Sequence, residues 1–453
     1  MSNFKLITKT TGSILFVIVF IFFSTLNAKN IDKFNKADKI ADYFSGILLL
    51  NQSKYEKSYQ YFKKLDGLEE SHLIFSSKYI YSLVNSGNFY QAFNFSKKLE
   101  KDKKDSFESD LIIGIQHLKN SKYDLSSKYF LKAKKRNLTS FLDNYVANTL
   151  YLWSNLNKIK IDKATINLNQ LDNRFENLKK IQSAFLNCYY RSENTNLFFE
   201  NLTSDKKTDF SRYFYFHAKY MESLGKLSEA KKILEKSLEK YPQNLLLKQY
   251  KIDLNDKKNN FKFDCTKQQD VIAELLYIAA NALSSQSIYQ ISNFYLNLSK
   301  YLNKEFHSFD NLLAENFYNV GDFINAKKIY KNLSQRGSVF RWHSNKQISR
   351  ILTREEKRDE SIKLLTNSYN TLQNLGVYET FDYAEFLKNN EKFEESIKFY
   401  TKILKQIDKK HPLFSEVTDG RGVAYERIGD WENAEKDLIM SLEVKPNQAY
   451  VIN

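Results

Sequence analysis

A small residue recurs every 34 positions near the start of this chain, and that spacing restricts the fold more than any other feature. Three segments read Ser53-Lys54-Tyr55-Glu56-Lys57-Ser58, Gly87-Asn88-Phe89-Tyr90-Gln91-Ala92 and Ser121-Lys122-Tyr123-Asp124-Leu125-Ser126, and their final residues are 34 apart each time. Later copies end at Ala230, Ala326, Ser396 and Ala434, and weaker ones centre on Ala164, Ile291 and Ser361; from 291 onward the steps are 35, 35, 35 and 38. A period of this length marks a chain built by stacking small supersecondary units. Composition agrees: 12 glycines and 3 prolines in 453 residues leave too few turn residues for a sheet-rich fold. With 42% hydrophobic and 27% charged residues the chain is ordered and globular.

Let the small residue be position 20 of each unit. Position 8 then falls on Gly46, Gly114, Ala218, Ala279, Ala314, Ala384 and Gly422, where a minimal side chain lets two helices cross closely. Position 15 falls on Gly87, Gly225, Gly321 and Gly429, where the first helix ends and a left-handed residue is required. Seven of the twelve glycines occupy these two slots, so the template is not a coincidence of composition. Position 17 is aromatic in Tyr55, Phe89, Tyr123, Phe323, Phe393 and Trp431, a bulky packing contact opening the second helix. Pro242 and Pro446 stop second helices, and Phe62, Leu65, Phe130 and Leu438 read as packing between hairpins. This pattern resembles the tetratricopeptide repeat (TPR), a 34-residue helical hairpin. The expected fold is all-α, a TPR-like α-solenoid in which hairpins wind into a right-handed superhelix.

The period loosens twice. Between 164 and 230 there is room for one degenerate unit near 179–210, and the surplus before 291 lies in Ile252 to Gln269. These irregularities divide the chain into an N-terminal array over 39–244, a polar insertion or hinge over 245–270 and a C-terminal array over 271–453. Three stretches are similar to the long exported TPR proteins of alphaproteobacterial type: Ala41-Asp42-Tyr43-Phe44-Ser45-Gly46, the run from Ala273 to Leu283, and the run from Gly420 to Leu438 that continues through Pro446 to Tyr450-Val451-Ile452-Asn453. In that family several more repeats follow, so the resemblance implies an array that is incomplete or shortened at its end.

Lys5 and Lys9 precede an uncharged apolar stretch, Ile14 to Phe23, then Ser24-Thr25-Leu26-Asn27-Ala28 and Lys29. That is the layout of a secretory signal peptide cut after Ala28, or of an uncleaved anchor, over residues 1–28, with a linker over 29–38. Either places the body outside the cytoplasm, in the periplasm or anchored to the inner membrane facing it. Cys188 and Cys265, 77 residues apart, read as unrelated buried thiols in a compartment that would permit a disulfide. The formal charge is +16, of which Lys5 and Lys9 contribute two, leaving +14. Lysines spread along exposed helix faces account for most of it, so nucleic acid is not an expected partner; contact with an anionic membrane surface or glycan is the alternative this charge offers.

No catalytic set emerges. The six histidines never fall three or four apart, HExxH and GxSxG are missing, and Gly420-Arg421-Gly422 is the nearest approach to a phosphate loop. No cofactor, metal or small-molecule substrate is expected, and the chain is read as non-enzymatic. In TPR arrays the concave groove is lined by positions 2, 5, 9, 12 and 13 of the first helices. Here these give Tyr43, Ile47, Tyr81, Arg212, Tyr215, Lys219, Tyr318, Tyr378, Phe381, Glu385, Glu426 and Arg427. Tyrosine interspersed with Arg and Lys is suited to holding peptide segments or protein partners. The carboxylate clamp of chaperone-binding repeats is missing, because Tyr43 and Ile47 occupy its slots. The expected function is a protein-interaction scaffold in the cell envelope.

Overall fold

A computed structural model describes residues 37–258, 261–372 and 376–446. The expected signal or anchor over 1–28, most of the linker, and the terminal Tyr450 to Asn453 lie outside the described residues. Every regular element among those described is a helix. In chain order they are α1 Ala37–Asn51, α2 Tyr55–Lys63, α3 Leu73–Asn85, α4 Phe89–Lys101, α5 Phe107–Lys119, α6 Tyr123–Lys134, α7 Phe141–Ser154 and α8 Ile161–Asn169. There follow α9 Glu176–Tyr189, α10 Thr195–Thr203, α11 Tyr213–Ser223, α12 Leu227–Lys240, α13 Leu245–Asn255, α14 Gln268–Ser285 and α15 Tyr289–Leu302. The last are α16 Phe309–Asn319, α17 Phe323–Leu333, α18 Ser338–Arg354, α19 Arg358–Asn370, α20 Val377–Asn389, α21 Phe393–Leu404, α22 Phe414–Arg427 and α23 Trp431–Val444.

The hairpins close as the small-residue pattern requires. A Cβ on Gly46 would stand 2.6 Å from Cδ1 of the buried Phe62, and one on Gly114 would stand 2.7 Å from Cδ1 of Phe130, so these crossings tolerate no side chain. At several hairpins a position-20 serine hydroxyl also ties the crossing, although Ser396 donates within its own helix to the Phe393 carbonyl at 2.8 Å. Ser58 donates to the Gly46 carbonyl at 2.8 Å, Ser126 to Gly114 at 2.9 Å and Ser361 to Ser349 at 2.7 Å, each spanning twelve residues. The same bond joins Ser292 to the Ala280 carbonyl at 2.8 Å. That hairpin is therefore centred on Ser292 and Ala280, one residue beyond the Ile291 and Ala279 of the sequence reading. Ser292 is fully buried, and a β-branched Ile cannot supply the hydroxyl the crossing uses.

Position 15 is left-handed in every copy except the weak one centred on Ala164, where Ile159 is extended with φ of -127°. Gly87, Gly225, Gly321 and Gly429 have φ of 83°, 76°, 78° and 82°, while Ser53, Ser121, Ser287, Glu356 and Glu391 adopt φ of 59°, 56°, 61°, 63° and 64° in the same slot. The turn geometry of the hairpin thus overrides the ordinary penalty on an L side chain. At position 17, Tyr55 is buried but Trp431 is 67% exposed, so the last described hairpin does not use its aromatic as a packing contact.

Contacts gather the described chain into two compact units, one holding residues up to 172 together with 272–302, the other 173–271 together with 303–446. This differs from a division at 245–270. The reason lies in two segments. Residues 272–302 carry α15, whose partners are α3 and α5. Residues 245–270 are not a polar insertion: α13 buries Leu246, Leu247, Tyr250 and Leu254, and the segment after it buries Phe261 and Phe263. Phe263 packs on Phe216 with ring centroids 4.5 Å apart, and Phe261 on Phe340 at 4.9 Å. Cys188 and Cys265 are joined as a disulfide, Cα atoms 5.9 Å apart, which pins this segment to α9. The reading of two unrelated thiols is corrected: aromatic packing of the 261–263 segment brings Cys265 back to α9, a proximity that spacing in the sequence does not reveal.

Candidate protein-binding surfaces

In the unit formed by residues up to 172 and 272–302, the inner row of hairpin helices is already occupied, and the occupant is α15. Its side chains from Ser292 to Leu296 are all buried, as are Leu298, Ser299 and Leu302. Polar groups on it find partners on successive hairpins. Asn293 Nδ2 donates to the Tyr55 hydroxyl at 2.6 Å, Asn297 Nδ2 to Asn85 Oδ1 at 3.1 Å, and the Tyr295 hydroxyl to Asp143 Oδ1 at 2.8 Å. Asn85 in turn donates to the Gln290 carbonyl at 3.2 Å, and Lys119 Nζ to the last carbonyl of the helix, Leu302, at 2.9 Å. Tyr301 stacks on Phe89 with centroids 4.3 Å apart and donates to Gln116 Oε1 at 2.6 Å.

Tyr81, one of the expected groove residues, is covered by this helix. Its ring meets Phe294 edge-on at 4.9 Å and its hydroxyl donates to Glu108 at 2.8 Å; burial first and the Glu108 charge second hold its pKa well above that of a free tyrosine. Tyr43 is half-buried against His72 and Phe62, at 5.0 and 6.4 Å between centroids.

In the other unit, three expected groove residues turn inward around α11. Tyr215 is fully buried and donates to the Phe261 carbonyl at 3.0 Å. Arg212 donates to Ser308 Oγ at 2.7 Å with its guanidinium 5.3 Å from the Phe306 ring centroid. Lys219 pairs with Glu222 at 2.6 Å, beside the Tyr250 hydroxyl that donates to the same carboxylate at 2.7 Å. Tyr215 and Arg212 are therefore core and tie residues, not a recognition surface, because the 261–263 segment and the start of α16 cover them. Lys219 borders a cavity of about 570 Å³ that also meets Arg191, Asp264, Cys265 and Thr266.

The first helices of the C-terminal hairpins, α16, α18, α20 and α22, keep side chains accessible. Tyr378 and Phe381 on α20 are partly exposed; Tyr378 lies 5.9 Å from His411 and Phe381 6.3 Å from Tyr400, ring centroid to centroid. Glu385 accepts from Tyr400 and from Lys388 Nζ, the latter at 2.8 Å. Glu426 and Arg427 lie at the end of α22 with their charged groups 3.9 Å apart, Arg427 exposed.

Between α16 and α20, α18 carries a basic row that the sequence reading passed over: His343, Lys346, Arg350 and Arg354, at template positions 2, 5, 9 and 13. His343 Nε2 bonds to Asn311 Oδ1 at 2.7 Å, and burial lowers its pKa to about 4, with Lys346 adding to the effect. Lys346 pairs with Asp382 at 2.6 Å. Arg350 and Arg354 are exposed, and each guanidinium carbon stands 4.8 Å from the Tyr318 ring centroid. Tyr318 itself is only 8% exposed and its buried hydroxyl has no hydrogen-bond partner among the described residues. It serves as a platform under two arginines instead of as an exposed recognition group. The signal was in the composition: five of the eleven arginines fall between 336 and 358.

Among the described residues no group of three His, Cys, Asp or Glu side chains is placed to hold a metal ion, and no helix is long and apolar enough to cross a membrane.

No family model matches the sequence, and neither does any curated protein. Solved structures of low similarity include YrrB, described as a TPR protein with an unusual peptide-binding site, at 14% identity and a TM-score of 0.29 over 40% of this chain and 90% of that one. Yeast Tom70 aligns at 13% identity and a TM-score of 0.33 over 91% of this chain and 93% of its own. The APC/C hetero-tetramer Cut9-Hcn1 aligns at 13% identity and 0.30 over 92% and 89%. The fold assignment therefore stands on the hairpin geometry of the chain itself, which is that of a TPR-like α-solenoid.

Proposed function

We propose that this chain is a non-enzymatic protein-interaction scaffold of the bacterial cell envelope, exported like the alphaproteobacterial TPR proteins it resembles, and that it holds peptide or protein partners on the first helices of its C-terminal hairpins. One observation carries the reading. Hairpins α1 to α7 already grip a helix, α15, through Tyr81, Asn85, Gln116 and Asp143. The repeat in this chain is thus built to hold a polypeptide segment across several units. On α18, α20 and α22 the corresponding faces leave Arg350, Arg354, Phe381 and Arg427 open to solvent in whole or part, an aromatic and Arg-rich composition suited to partners. The Cys188–Cys265 disulfide supports export, because cytosolic reductants oppose such bonds.

A photo-crosslinking amino acid placed at Phe381 or Arg427 in intact cells is expected to give discrete protein adducts, while the same probe at Tyr90, exposed at the start of a second helix, gives none. Adducts at neither Phe381 nor Arg427 would sink the scaffold reading. Protease accessibility in spheroplasts, set against whole cells, tests the location.

A further inference from the structure

We propose that Arg350 and Arg354, seated on Tyr318, form a binding site for an acidic peptide in extended conformation, with two carboxylate side chains two residues apart. The inference deepens the scaffold reading and rests on it.

Three observations lead there. First, several charges around α18 are already matched, whereas Arg350 and Arg354, like the exposed Arg341 at the start of the helix, are in no ion pair among the described residues. Lys346 is paired with Asp382, Lys327 holds Glu355 at 2.6 Å, Arg358 meets Glu391 at 3.2 Å, and Glu385 is engaged by Lys388 and Tyr400. On the facing helix α16, which carries Asp310 and Glu315, Glu315 accepts from Asn311 at 2.8 Å, and burial raises its pKa. Neither Arg350 nor Arg354 meets a carboxylate within ion-pair distance among the described residues. Two uncompensated guanidiniums side by side repel each other, and an anion relieves that repulsion.

Second, the pair is ordered in advance. Both guanidiniums lie 4.8 Å from one ring centroid, and the ring is held in place by its burial, with Phe323 5.7 Å away. Contact with a ring that is itself held in place restricts both side chains, so less side-chain entropy is lost when a carboxylate arrives. The buried Tyr318 hydroxyl, without a partner, is an unusual cost to accept at an exposed surface patch.

Third, the spacing selects the ligand. Residues four apart on a helix are separated by a rise of about 6 Å, and alternate side chains of an extended strand by about 6.6 Å. A peptide running along α18 with acids at i and i+2 therefore meets both forks, each in the bidentate geometry that Arg offers a carboxylate. The intervening side chain points away, toward solvent or toward the Phe381 flank. Adjacent acids face opposite sides of a strand and engage only one fork.

The test is fluorescence anisotropy on the full chain in detergent, with a fluorescein-labelled Gly-Glu-Leu-Glu-Phe-Gly peptide. Binding is expected to weaken by about tenfold or more in R350Q/R354Q and by a smaller factor in R350K/R354K, which keeps the charge and loses the forks. The peptide with its two acids adjacent is expected to bind about fivefold more weakly, having one fork to engage. A Lys-for-Glu peptide should not bind. Equal affinity of the parent and R350Q/R354Q chains overturns the site, as does equal binding of the Lys peptide. Capture of phosphatidylglycerol vesicles by the arginine pair without any peptide binding also overturns it, since the ligand is then a lipid surface. Both residues are exposed, so the variants fold, which circular dichroism verifies. If crosslinks from Phe381 persist in R350Q/R354Q while peptide binding is unaffected, the acidic-ligand assignment falls and the scaffold reading survives.

Discussion

One methyl group at Gly114 has nowhere to go, because Phe130 fills the crossing and is itself fully buried. Gly114→Ala is therefore expected to cost about 1–3 kcal/mol by overpacking. Gly87→Ala meets nothing within 4 Å and pays only for its left-handed φ, about 1 kcal/mol. Urea unfolding of the two variants should rank them in that order, and equal midpoints would contradict the crossing argument. Titration behaves differently at the buried imidazoles. His217 is 3% exposed and bonded to Asn196 at 2.7 Å, and burial lowers its pKa to about 4 against a small opposing effect of Glu200; His343 is lowered to the same value. Both folded values lie below the unfolded value of about 6.5, so the unfolded chain binds more protons between them. Their contribution to stability is complete above pH 6.5 and is lost as pH falls toward 4. Asp110, Asp143 and Glu315, whose pKa values are raised by burial, act in the opposite sense. The comparison is thus between chains: His217→Asn with His343→Asn should lose less of its unfolding midpoint between pH 7 and 4.5 than the parent. The same loss in both would exclude the histidines.

Among helices, α15 departs furthest from an ordinary second helix. Its Tyr295–Asp143 bond is half-buried, and Asp143, raised first by desolvation, is held down by the Tyr295 hydroxyl. Tyr295→Phe removes that donor and leaves a half-buried carboxyl short of one bond, an expected loss of about 1–2 kcal/mol by calorimetry or urea; an effect within error would mean that α15 is not seated on α7. Nothing in the sequence announces this role. Asn293, Asn297 and Ser299 are polar, and only a partner surface with its own polar groups lets Asn293 and Ser299 be buried and Asn297 half-buried. Hairpins with Gly at one or other diagnostic slot were legible for the converse reason: Gly fits the close crossing and the left-handed turn at the least cost. The hairpin of α18 and α19 carries Ser349 and Glu356 in those slots, so its register was weak and its arginines were overlooked. The disulfide was equally hidden, since 77 residues of spacing say nothing about the aromatic packing that delivers Cys265 to α9. Cys188→Ser is expected to destabilise this unit by about 2–4 kcal/mol through the freed loop, with equal stability of reduced and oxidised protein as the contrary result.

At the scale of the whole chain, repeat spacing describes a succession of hairpins, yet the compact units are not contiguous in sequence. Residues 272–302 belong with those before 172, and 173–271 belong with those after 303. A solenoid stabilised only by nearest neighbours could be cut between repeats with local damage. Here a cut after Lys258 separates α15 from the helices that α15 joins, so the two pieces should remain bound through Asn293, Tyr295 and Tyr301 in the first unit, and through Tyr215–Phe261, Phe216–Phe263 and Arg212–Ser308 in the second. The Cys188–Cys265 bond spans the same cut and must be removed from the experiment. With a protease site inserted after Lys258 and the protein cleaved under reducing conditions, the fragments should co-elute on size exclusion and part only in denaturant. Tyr295→Phe should lower the denaturant concentration at which they part. Fragments that separate at once in native buffer would show that α15 contributes little to holding the first unit together, and the self-filled groove, from which the scaffold reading takes its support, would lose its energetic basis.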